Sequence, residues 1–590
     1  MFTKVLVANR GEIAIRVMRA LEEMGIQTVA VYSEADRDAP HARRADESYL
    51  IGPGPPNESY LVVDKLIEVA KKSGAEAVHP GYGFLAENSA FARACDEAGI
   101  KFIGPPADAI DAMGSKTRAR EIMKDAGVPI VPGTTDPVDT VEDARTIIDE
   151  SVGYPVAIKA AGGGGGKGFR VALEESELEK AFEGAAREGE KFFNDATVYI
   201  ERYLPDPRHV EVQVLADEHG NVIHLGERDC SVQRRHQKLI EESPAPAVDD
   251  ELRERIGKIG TEAAKAVGYR SAGTIEGLLS EDGEYFFLEM NTRVQVEHCV
   301  TEMVSGVDIV REQIRIAAGE ELSLSQDDVR LSGHAIECRV NAEDAAKNFA
   351  PAPGAISAYF EPSGPGVRVD SGVEAGSEIT PIYDPMIAKL IVWDVDRDKA
   401  TRRMVRALRE FKLEGTVKSL IPFHIGLLGT EQWQNGETCR DLIEDKQWLK
   451  QFAVPKPDKP ADDEDEAPQE ERSYAVEVSG RRFDVKVIGA ALAAGGAGGN
   501  GAGPAAAKPK RRERSKSAGA PGELVSPLQG TVLKVAVEKG AEVEEGALIC
   551  VIEAMKMENE ITATAAGKIE ELNVTEGGAV NSGDTIAVIK

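Results

Sequence analysis

The sequence predicts a multidomain protein with an α/β and α+β body and a small all-β flattened sandwich at its C-terminal end. Three observations carry that expectation. The chain has 590 residues, enough for roughly four folding units of about 150 residues each. Its first hundred residues alternate apolar strands with amphipathic helices, and its last 68 contain an internal repeat.

In chain order, VLVA (5–8), a helix from about Glu12 to Met24 and TVAVY (28–32) give a βαβ pattern, which predicts a parallel sheet. NRGE follows the first strand where GxGxxG would mark a dinucleotide site, which speaks against a nicotinamide enzyme. Mixed α/β patterning continues to about residue 450. There VPKPDKPADDEDEAPQEER (454–472) brings prolines and acids with no apolar period, and the body ends. YAVEVSGRRFDVKVIG (474–489) reads as a β-hairpin. Residues 490–522 then turn to Ala, Gly and Pro around KPKRRERSK, a coil with a root-mean-square span of roughly 30 Å. In the tail, a shift of 37 superimposes Gly530, Val537, Gly540, Val543, Gly546, Ile549 and Ile552 on Gly567, Val574, Gly577, Val580, Gly583, Ile586 and Ile589. Two copies of a β unit with glycine turns predict a sandwich with pseudo-twofold symmetry and leave EAMKMENE (553–560) as an exposed hairpin turn.

Lys and Arg total 70 against 101 Asp and Glu, a formal charge of −31, which repels nucleic acid and anionic lipid. Cys95, Cys230, Cys299, Cys338, Cys439 and Cys550 form no CxxC pair and no dense disulfide framework, which fits a reducing compartment. The start lacks the apolar core of a secretory signal, and no later run approaches the ~18 apolar residues of a membrane span, so a cytoplasmic protein is expected. The acid excess fits ordinary solvation or a salt-rich cytoplasm; the second predicts that activity and melting temperature respond to molar KCl.

Four segments carry chemistry. GGGGGKG (162–168) follows the strand VAIKA, but Ala161 and Gly168 stand where a Walker A loop needs Gly and Ser or Thr. The run is either a mobile surface loop or a flap whose bare amides approach phosphate; Lys159, ending the strand, favours a nucleotide. In FFLEMNTRVQVEH (286–298), strand alternation puts Glu289, Asn291, Arg293, Gln295 and Glu297 on one face, either a solvated edge or a catalytic floor. Glu276, in the preceding strand TIEGLL, adds a possible Mg2+ ligand. RDCSVQRRHQKLIEESPAP (228–246) is a basic cluster in an acidic protein, an anion site or a solvated loop. Last, Met555 and Met557 bracket Lys556 on the predicted tip, which suits a lysine presented to a modifying enzyme.

In this order the motifs NRGEIA, HPGYGFLAEN, KAAGGGGGKG, RDCSVQRRHQK, EMNTRVQVEH and AMKM resemble the biotin-dependent carboxylases, in the alpha-subunit form that joins a biotin carboxylase to a biotin carboxyl carrier domain. The resemblance implies an ATP-grasp biotin carboxylase with a Rossmann-like N-terminal domain (1–114), an ATP-grasp domain (115–330) and a C-terminal domain (331–450). A linker with its hairpin (451–522) and a lipoyl-like biotinyl domain (523–590) follow. It implies covalent biotin on Lys556, with ATP and Mg2+ or Mn2+ as cofactors. Lys116, Lys159, Gly164, Gly165 and Gly166 then contact the phosphates, and Glu201, Leu204, His209, Gln233, His236 and Leu278 surround adenosine. Glu276, Glu289 and Asn291 match the metal positions. Lys238, Arg293, Gln295 and Val296 match the bicarbonate pocket, with Glu297 as the base, and Arg339 matches the residue that stabilises the enolate of biotin's ureido ring.

The implied reaction is ATP-dependent carboxylation of the chain's own biotin through carboxyphosphate. The carboxyl group then passes to a carboxyltransferase beta subunit in a hetero-oligomer, with biotin protein ligase as the modifying partner. Acetyl-CoA or propionyl-CoA is the expected acyl substrate; methylcrotonyl-CoA or pyruvate is the alternative. A lipoyl-type carrier scaffold with a degenerate body and a free-standing ATP-grasp ligase are the competing readings, separable by streptavidin binding and by bicarbonate dependence of ADP release. Two positions depart from the family pattern. Cys299 stands where Pro is usual, implying a looser turn after Glu297, and Gly277 replaces a bulky residue, implying a wider adenine side.

Overall fold

The structure, a computed structural model, describes residues 1–134, 136–160, 168–193, 196–235, 237–453, 469–478, 481–490, 523–526, 530–554, 557–580 and 584–589. The N-terminal strands β1 (Lys4–Val7), β2 (Gln27–Ser33), β3 (Glu47–Gly52), β4 (Ala77–His79) and β5 (Lys101–Phe102) form a parallel sheet in the order β3-β2-β1-β4-β5. The predicted βαβ unit is present, its helix running Gly11–Glu23. Val5, Leu6 and Val7 are buried, as a parallel strand covered on both faces requires, and the helix lays Ile13, Val17, Met18 and Leu21 against the sheet. Strand order reverses between β1 and β4. There Asn9 Nδ2 donates across the gap to the Pro80 (2.7 Å) and Tyr82 (2.8 Å) carbonyls, at the place where such sheets open a ligand crevice.

A second, antiparallel sheet has the order β7-β6-β8, with β6 Val156–Ala160, β7 Phe169–Ala172 and β8 Val198–Arg202. Leu178, Ala181, Phe182 and Ala185 of the helix Glu175–Phe193 pack on it. Lys159 pairs with Phe169, so the glycine run links a hairpin rather than a strand to a helix, which fits the absence of a Walker motif. Residues 161–167, including Gly164, Gly165 and Gly166, lie outside the described residues.

The centre is an eight-stranded antiparallel sheet. Its strands are β9 (Arg208–Ala216), β10 (Val222–Arg234), β11 (Gln237–Ser243), β12 (Ser271–Leu279), β13 (Tyr285–Asn291), β14 (His334–Asn341) and two more at Val367–Ser371 and Met386–Asp394. The order is β13-β12-β9-β10-β11-β14, then Met386–Asp394, then Val367–Ser371, so one sheet runs through the region of residue 330. Val210, Val212 and Val214 face the helix Asp250–Ala266 and meet Ile256, Ala263 and Ala264. Alternate residues Glu211 and Gln213 face the other way, where Arg228 reaches Thr301 on the helix His298–Ser305 at 3.0 Å. The segment 228–243 is therefore no solvated loop: it forms most of β10 and all of β11, and Arg228 and Lys238 are buried.

The linker hairpin is longer than predicted, Gln469–Val478 pairing with Arg481–Ala490. In the C-terminal unit the repeat becomes two four-stranded sheets that exchange a strand. Glu542–Val543 of the first copy pairs with Gly567–Leu572 of the second, and Ala579–Val580 of the second pairs with Gly530–Val535 of the first. Leu548–Ala554 pairs with Met557–Thr562, Ala554 opposite Met557, so the link between them is residues 555 and 556. Met555 and Lys556 lie outside the described residues. No helix among the described residues is long and apolar enough to cross a membrane.

Candidate functional site

Register places a row of charges across four neighbouring strands: Arg228 opposite Glu211, Glu211 opposite Glu276, and Glu276 opposite Glu289. Like charges directly opposite repel, so the row needs cations. Lys238, from β11, supplies the main one: its Nζ lies 2.5 Å from Glu211 Oε2, 2.9 Å from Glu276 Oε1 and 2.6 Å from Glu297 Oε1, all buried. Arg228, fully buried, donates to Glu211 (2.7 Å), Gln213 (2.8 Å) and Gln295 (2.8 Å). His209 Nε2 lies 3.1 Å from Glu276 Oε2.

The ionisation states follow from these contacts. Burial opposes charge on Glu276, but Lys238 and His209 outweigh it and hold the carboxyl well below the usual carboxylate range. Glu211 is lowered in the same sense by Lys238 and Arg228. Burial also works against a charged His209, and the Glu211 and Glu276 carboxylates reverse that, raising the imidazole to about 9. For Glu297, Lys238 and Arg339 overcome burial and the repulsion of Glu211, so it stays ionised. His209, Glu211 and Glu276 bring donor atoms within 4.8 Å of one another, but the Lys238 ammonium already sits against two of them.

The sequence predicts one strand through residue 297; the structure ends it at Asn291. β13 is an edge strand, and the next amide, Thr292 N, donates to the Glu87 side chain at 3.0 Å instead of continuing a ladder. The chain then turns into the helix His298–Ser305. The polar side chains still converge. Asn291 Nδ2 and Gln295 Nε2 donate to Glu276 at 2.7 and 2.6 Å, Arg293 Nη2 donates to Asn291 Oδ1 at 2.9 Å, and Glu297 meets Lys238 and Arg339, the latter at 3.0 Å. Arg339 also bonds Glu241 at 2.6 Å. Burial, with Arg339 only partly offsetting it, pushes the Glu241 carboxyl up to about 7.

The residues expected around the nucleotide are spread over several contacts. Lys159 Nζ pairs with Glu201, which also meets Arg120 at 3.0 Å. Leu204 and Leu278 pack with Val131 and Phe286 in a small apolar cluster. Beside them a cavity of about 700 Å3 is lined by Tyr203, Arg208, Leu279, Glu437 and Cys439, among others. Gln233 pairs with Lys238 at the end of β10, and Lys116 opens the helix Lys116–Asp125. His236 lies outside the described residues.

Sequence reading missed Glu211, Arg228, Glu241 and Glu87. Glu211 interrupts the mostly apolar strand run HVEVQVLA, and that interruption is the signal that could have found it; Arg228 and Glu241 lie inside the segment 228–246, where the surrounding charges hide them. Glu87 lies in the HPGYGFLAEN motif but carries no local mark of its role. Both departures read differently in three dimensions. A side chain at Gly277 would collide with the ring of Tyr285, so the space is already filled and the pocket is not widened. Cys299 loosens nothing either: it sits in the first turn of the helix, its Sγ accepting from Lys389 Nζ at 3.1 Å and donating to Asp370 at 3.3 Å.

A glycine-linked hairpin beside an antiparallel sheet floored with carboxylates and cations defines an ATP-grasp ligase. Comparison with known proteins narrows this. In chain order, residues 1–110 match the biotin carboxylase N-terminal domain and 115–325 the ATP binding domain of the carbamoyl-phosphate synthase L chain. Residues 337–445 match the biotin carboxylase C-terminal domain, and 518–589 match the family described as biotin-requiring enzyme. The biotin-dependent acyl-coenzyme A carboxylase alpha3 subunit of Mycobacterium leprae is 47% identical over 593 aligned residues, 100% of this chain and 98% of the relative. A pyruvate carboxylase subunit from Methanothermobacter thermautotrophicus is 56% identical over 445 residues, 75% of this chain and 90% of the relative. The biotin carboxylase domain of Hydrogenobacter thermophilus 2-oxoglutarate carboxylase, solved as a dimer with MgADP, ADP and bicarbonate, superposes with a TM-score of 0.70 at 50% identity. That match covers 77% of this chain and 100% of the solved one. The chain belongs to the biotin carboxylase family, in the form that carries its own biotin/lipoyl domain, and is an ATP-dependent ligase.

Proposed function

We propose that this chain carboxylates biotin carried on its own Lys556, using ATP and bicarbonate, and supplies a separate carboxyltransferase that works on acetyl-CoA or propionyl-CoA. The observation that carries the reading is the convergence of Lys238 and Arg339 on a buried, ionised Glu297, in a chain that also holds the carrier domain. Arg293, Gln295 and the Val296 backbone would hold bicarbonate, and Glu297 would take its proton as a bicarbonate oxygen attacks the γ-phosphorus and ADP leaves. Lys238 and Arg339 then exchange their bonds to Glu297 for bonds to the anions formed, so positive charge stays where negative charge develops. Carboxyphosphate is lost to water, and a closed flap at 162–168 would exclude it. Lys116, Lys159 and Gly164, Gly165 and Gly166 are assigned to the phosphates. Glu201, Leu204, His209, Gln233, His236 and Leu278 are assigned to adenosine, the two leucines supplying the apolar contact.

The donor types suit a divalent ion. Glu276 and Glu289 are cross-strand partners and Asn291 follows on the same strand, all hard oxygen donors of the kind Mg2+ or Mn2+ prefers. An ion there would compete with Lys238 for Glu276 and with Arg293 for the Asn291 oxygen. When bound, the ion would neutralise phosphate oxygens. Biotin supplies the ureido nitrogen that accepts the carboxyl group, and Arg339 would face it.

Support for an acyl-CoA partner is that the Mycobacterium leprae relative aligns with the whole chain, carrier included, whereas the Methanothermobacter relative aligns over 445 residues. A 2-oxo acid carboxylase is the second reading, favoured by the higher identity of that shorter match. The hairpin Gln469–Ala490 is assigned to carboxyltransferase docking, because an isolated two-stranded unit is only marginally stable and gains from a partner surface. The test is Glu297→Gln: bicarbonate-dependent ADP release should fall by roughly 10³, with nucleotide-induced thermal protection kept. Lys556→Arg should yield protein that streptavidin does not bind. Full activity in the first or streptavidin binding in the second removes the corresponding assignment. Labelled bicarbonate offered to the native complex with each acyl-CoA and with pyruvate decides the partner.

A further inference from the structure

We infer that Lys389 is a positioning residue for Glu297, acting through the carbonyl of Val296. The inference rests on the reading of Glu297 as the proton acceptor. Residues 292–297 have left the sheet, so no ladder fixes the peptide that precedes Glu297. Lys389 Nζ bonds the Val296 carbonyl at 2.8 Å, and the other contact there is the weak one from Cys299 Sγ at 3.9 Å.

Lys389 lies on the strand Met386–Asp394 directly opposite Arg339 of β14. Two cations from paired strand positions therefore hold the same residue by different handles, Arg339 through the carboxylate and Lys389 through the backbone just before it. The lysine has no exposed surface, and it is fixed from several sides. Its Nζ also donates to Cys299 Sγ at 3.1 Å and lies 3.5 Å from Glu12 Oε1 on the first helix and 3.9 Å from Asp370 Oδ2. An ammonium group taken out of water persists only where fixed dipoles and counter-ions replace hydration, and here the Val296 carbonyl is one of those dipoles. Swinging that peptide would break a charge-assisted bond that water does not replace. Both carboxylate oxygens of Glu12 are buried without a hydrogen bond and burial pushes this carboxyl up to about 7, so the lysine's hydrogen bonds go to the Val296 carbonyl and Cys299 Sγ rather than to the acid. Val296 also belongs to the proposed bicarbonate pocket, so one bond sets both the base and the backbone the anion meets.

The experiment uses the full-length biotinylated protein and compares Lys389→Met, Lys389→Arg and Glu297→Gln in bicarbonate-dependent ADP release, with MgADP-induced thermal shift measured on each. Lys389→Met should lower kcat roughly 100-fold, the cost of a small misplacement, while the KM for ATP stays within about twofold and the MgADP shift is kept. Lys389→Arg, which retains a cationic donor, should recover at least about a tenth of the parental kcat. A loss below about tenfold in Lys389→Met overturns the inference. So does joint loss of kcat and of the MgADP shift in both lysine variants, which makes Lys389 a folding residue only. If Glu297→Gln is inactive and Lys389→Met is active, this inference alone fails; if Glu297→Gln is active, the reading of Glu297 fails.

Discussion

The strand-borne half of the site and the segment 292–297 hold their charges by different means. Glu211, Glu276, Arg228 and Lys238 sit on adjacent strands whose backbone register fixes their spacing before any side chain interacts. Residues 292–297 have no ladder and are held by side chains from three regions. Glu87 takes Thr292 and Arg293, Arg228 and Glu276 take Gln295, and Lys389 takes Val296. Burial differs as well. Lys238 and its three carboxylates, Glu297 of the segment among them, are almost dry, as are Thr292, Val294 and Gln295; the wet part of the segment is the Arg293–Glu87 pair, whose side chains are 20% and 41% exposed. A dry, ladder-held network is costly to break and insensitive to salt; a partly exposed ion pair such as Arg293–Glu87 is weaker and screened by salt. Breaking the strand-borne network should therefore cost more stability than breaking the Arg293–Glu87 pair.

The strongest way to break this comparison is Lys238→Met, which leaves Glu211, Glu276 and Glu297 facing one another without their shared cation. Removing one partner of a buried ion network costs about 3–5 kcal/mol, so urea unfolding should show that loss together with abolished carboxylation. Unchanged stability would mean that the strand half is as tolerant as the segment.

Titration gives the next largest effect. His209 is raised to about 9 from an ordinary value of 6.5, so its contribution is complete below about pH 6.5 and is lost as pH rises through about 9. Glu211 and Glu276 are lowered, so theirs is present above the unfolded carboxylate range and is lost as pH falls below it. Stability of the nucleotide-free protein should therefore peak between these limits. Replacing the imidazole in His209→Asn should remove an alkaline limb on the order of 3 kcal/mol, read by melting temperature across pH 6 to 10. A variant whose limb matches the parent would show that His209 is not held charged by the carboxylates.

These two halves were not equally legible in the sequence. The glycine run, the EMNTRVQVEH segment and the repeat with its AMKM turn are local patterns; the strands that flank the glycine run, the strand that opens EMNTRVQVEH and the paired strands of the repeat are present in the structure, whereas 161–167 and 555–556 lie outside the described residues. What joins them is non-local. Nothing near Glu211 in the chain says that it faces Arg228 and Glu276, because that follows from strand order and register. Alternation at 286–298 placed the polar residues on one side correctly but not the end of the strand at Asn291. The cause is a partner, Glu87, more than 200 positions upstream. Gly277 shows the same limit, since its missing side chain is compensated by Tyr285 across the hairpin.

On the segment side, Arg293→Ala should lower kcat/KM for bicarbonate by roughly 100-fold if Arg293 holds the anion as proposed above. Its partly exposed pair with Glu87 is worth only about 0–1 kcal/mol, so unfolding should hardly change. A stability loss as large as that of Lys238→Met would erase the distinction between the halves.

The smallest effect sharpens it most. Glu87 holds Thr292 N and Arg293 Nε, so Glu87→Gln tests the tether without removing an anion-binding cation. The amide oxygen still accepts from Thr292 N, while the charge that orients Arg293 is gone. The KM for bicarbonate should rise about fivefold with kcat nearly constant, since a tether acts on the geometry of the free pocket more than on the reacting complex. Because the parental ion pair is half-wet, 1 M KCl should raise the parental KM toward that of the variant and leave the variant's almost unmoved. If salt shifts both equally, the screening acts elsewhere and Glu87 does not set the position of Arg293.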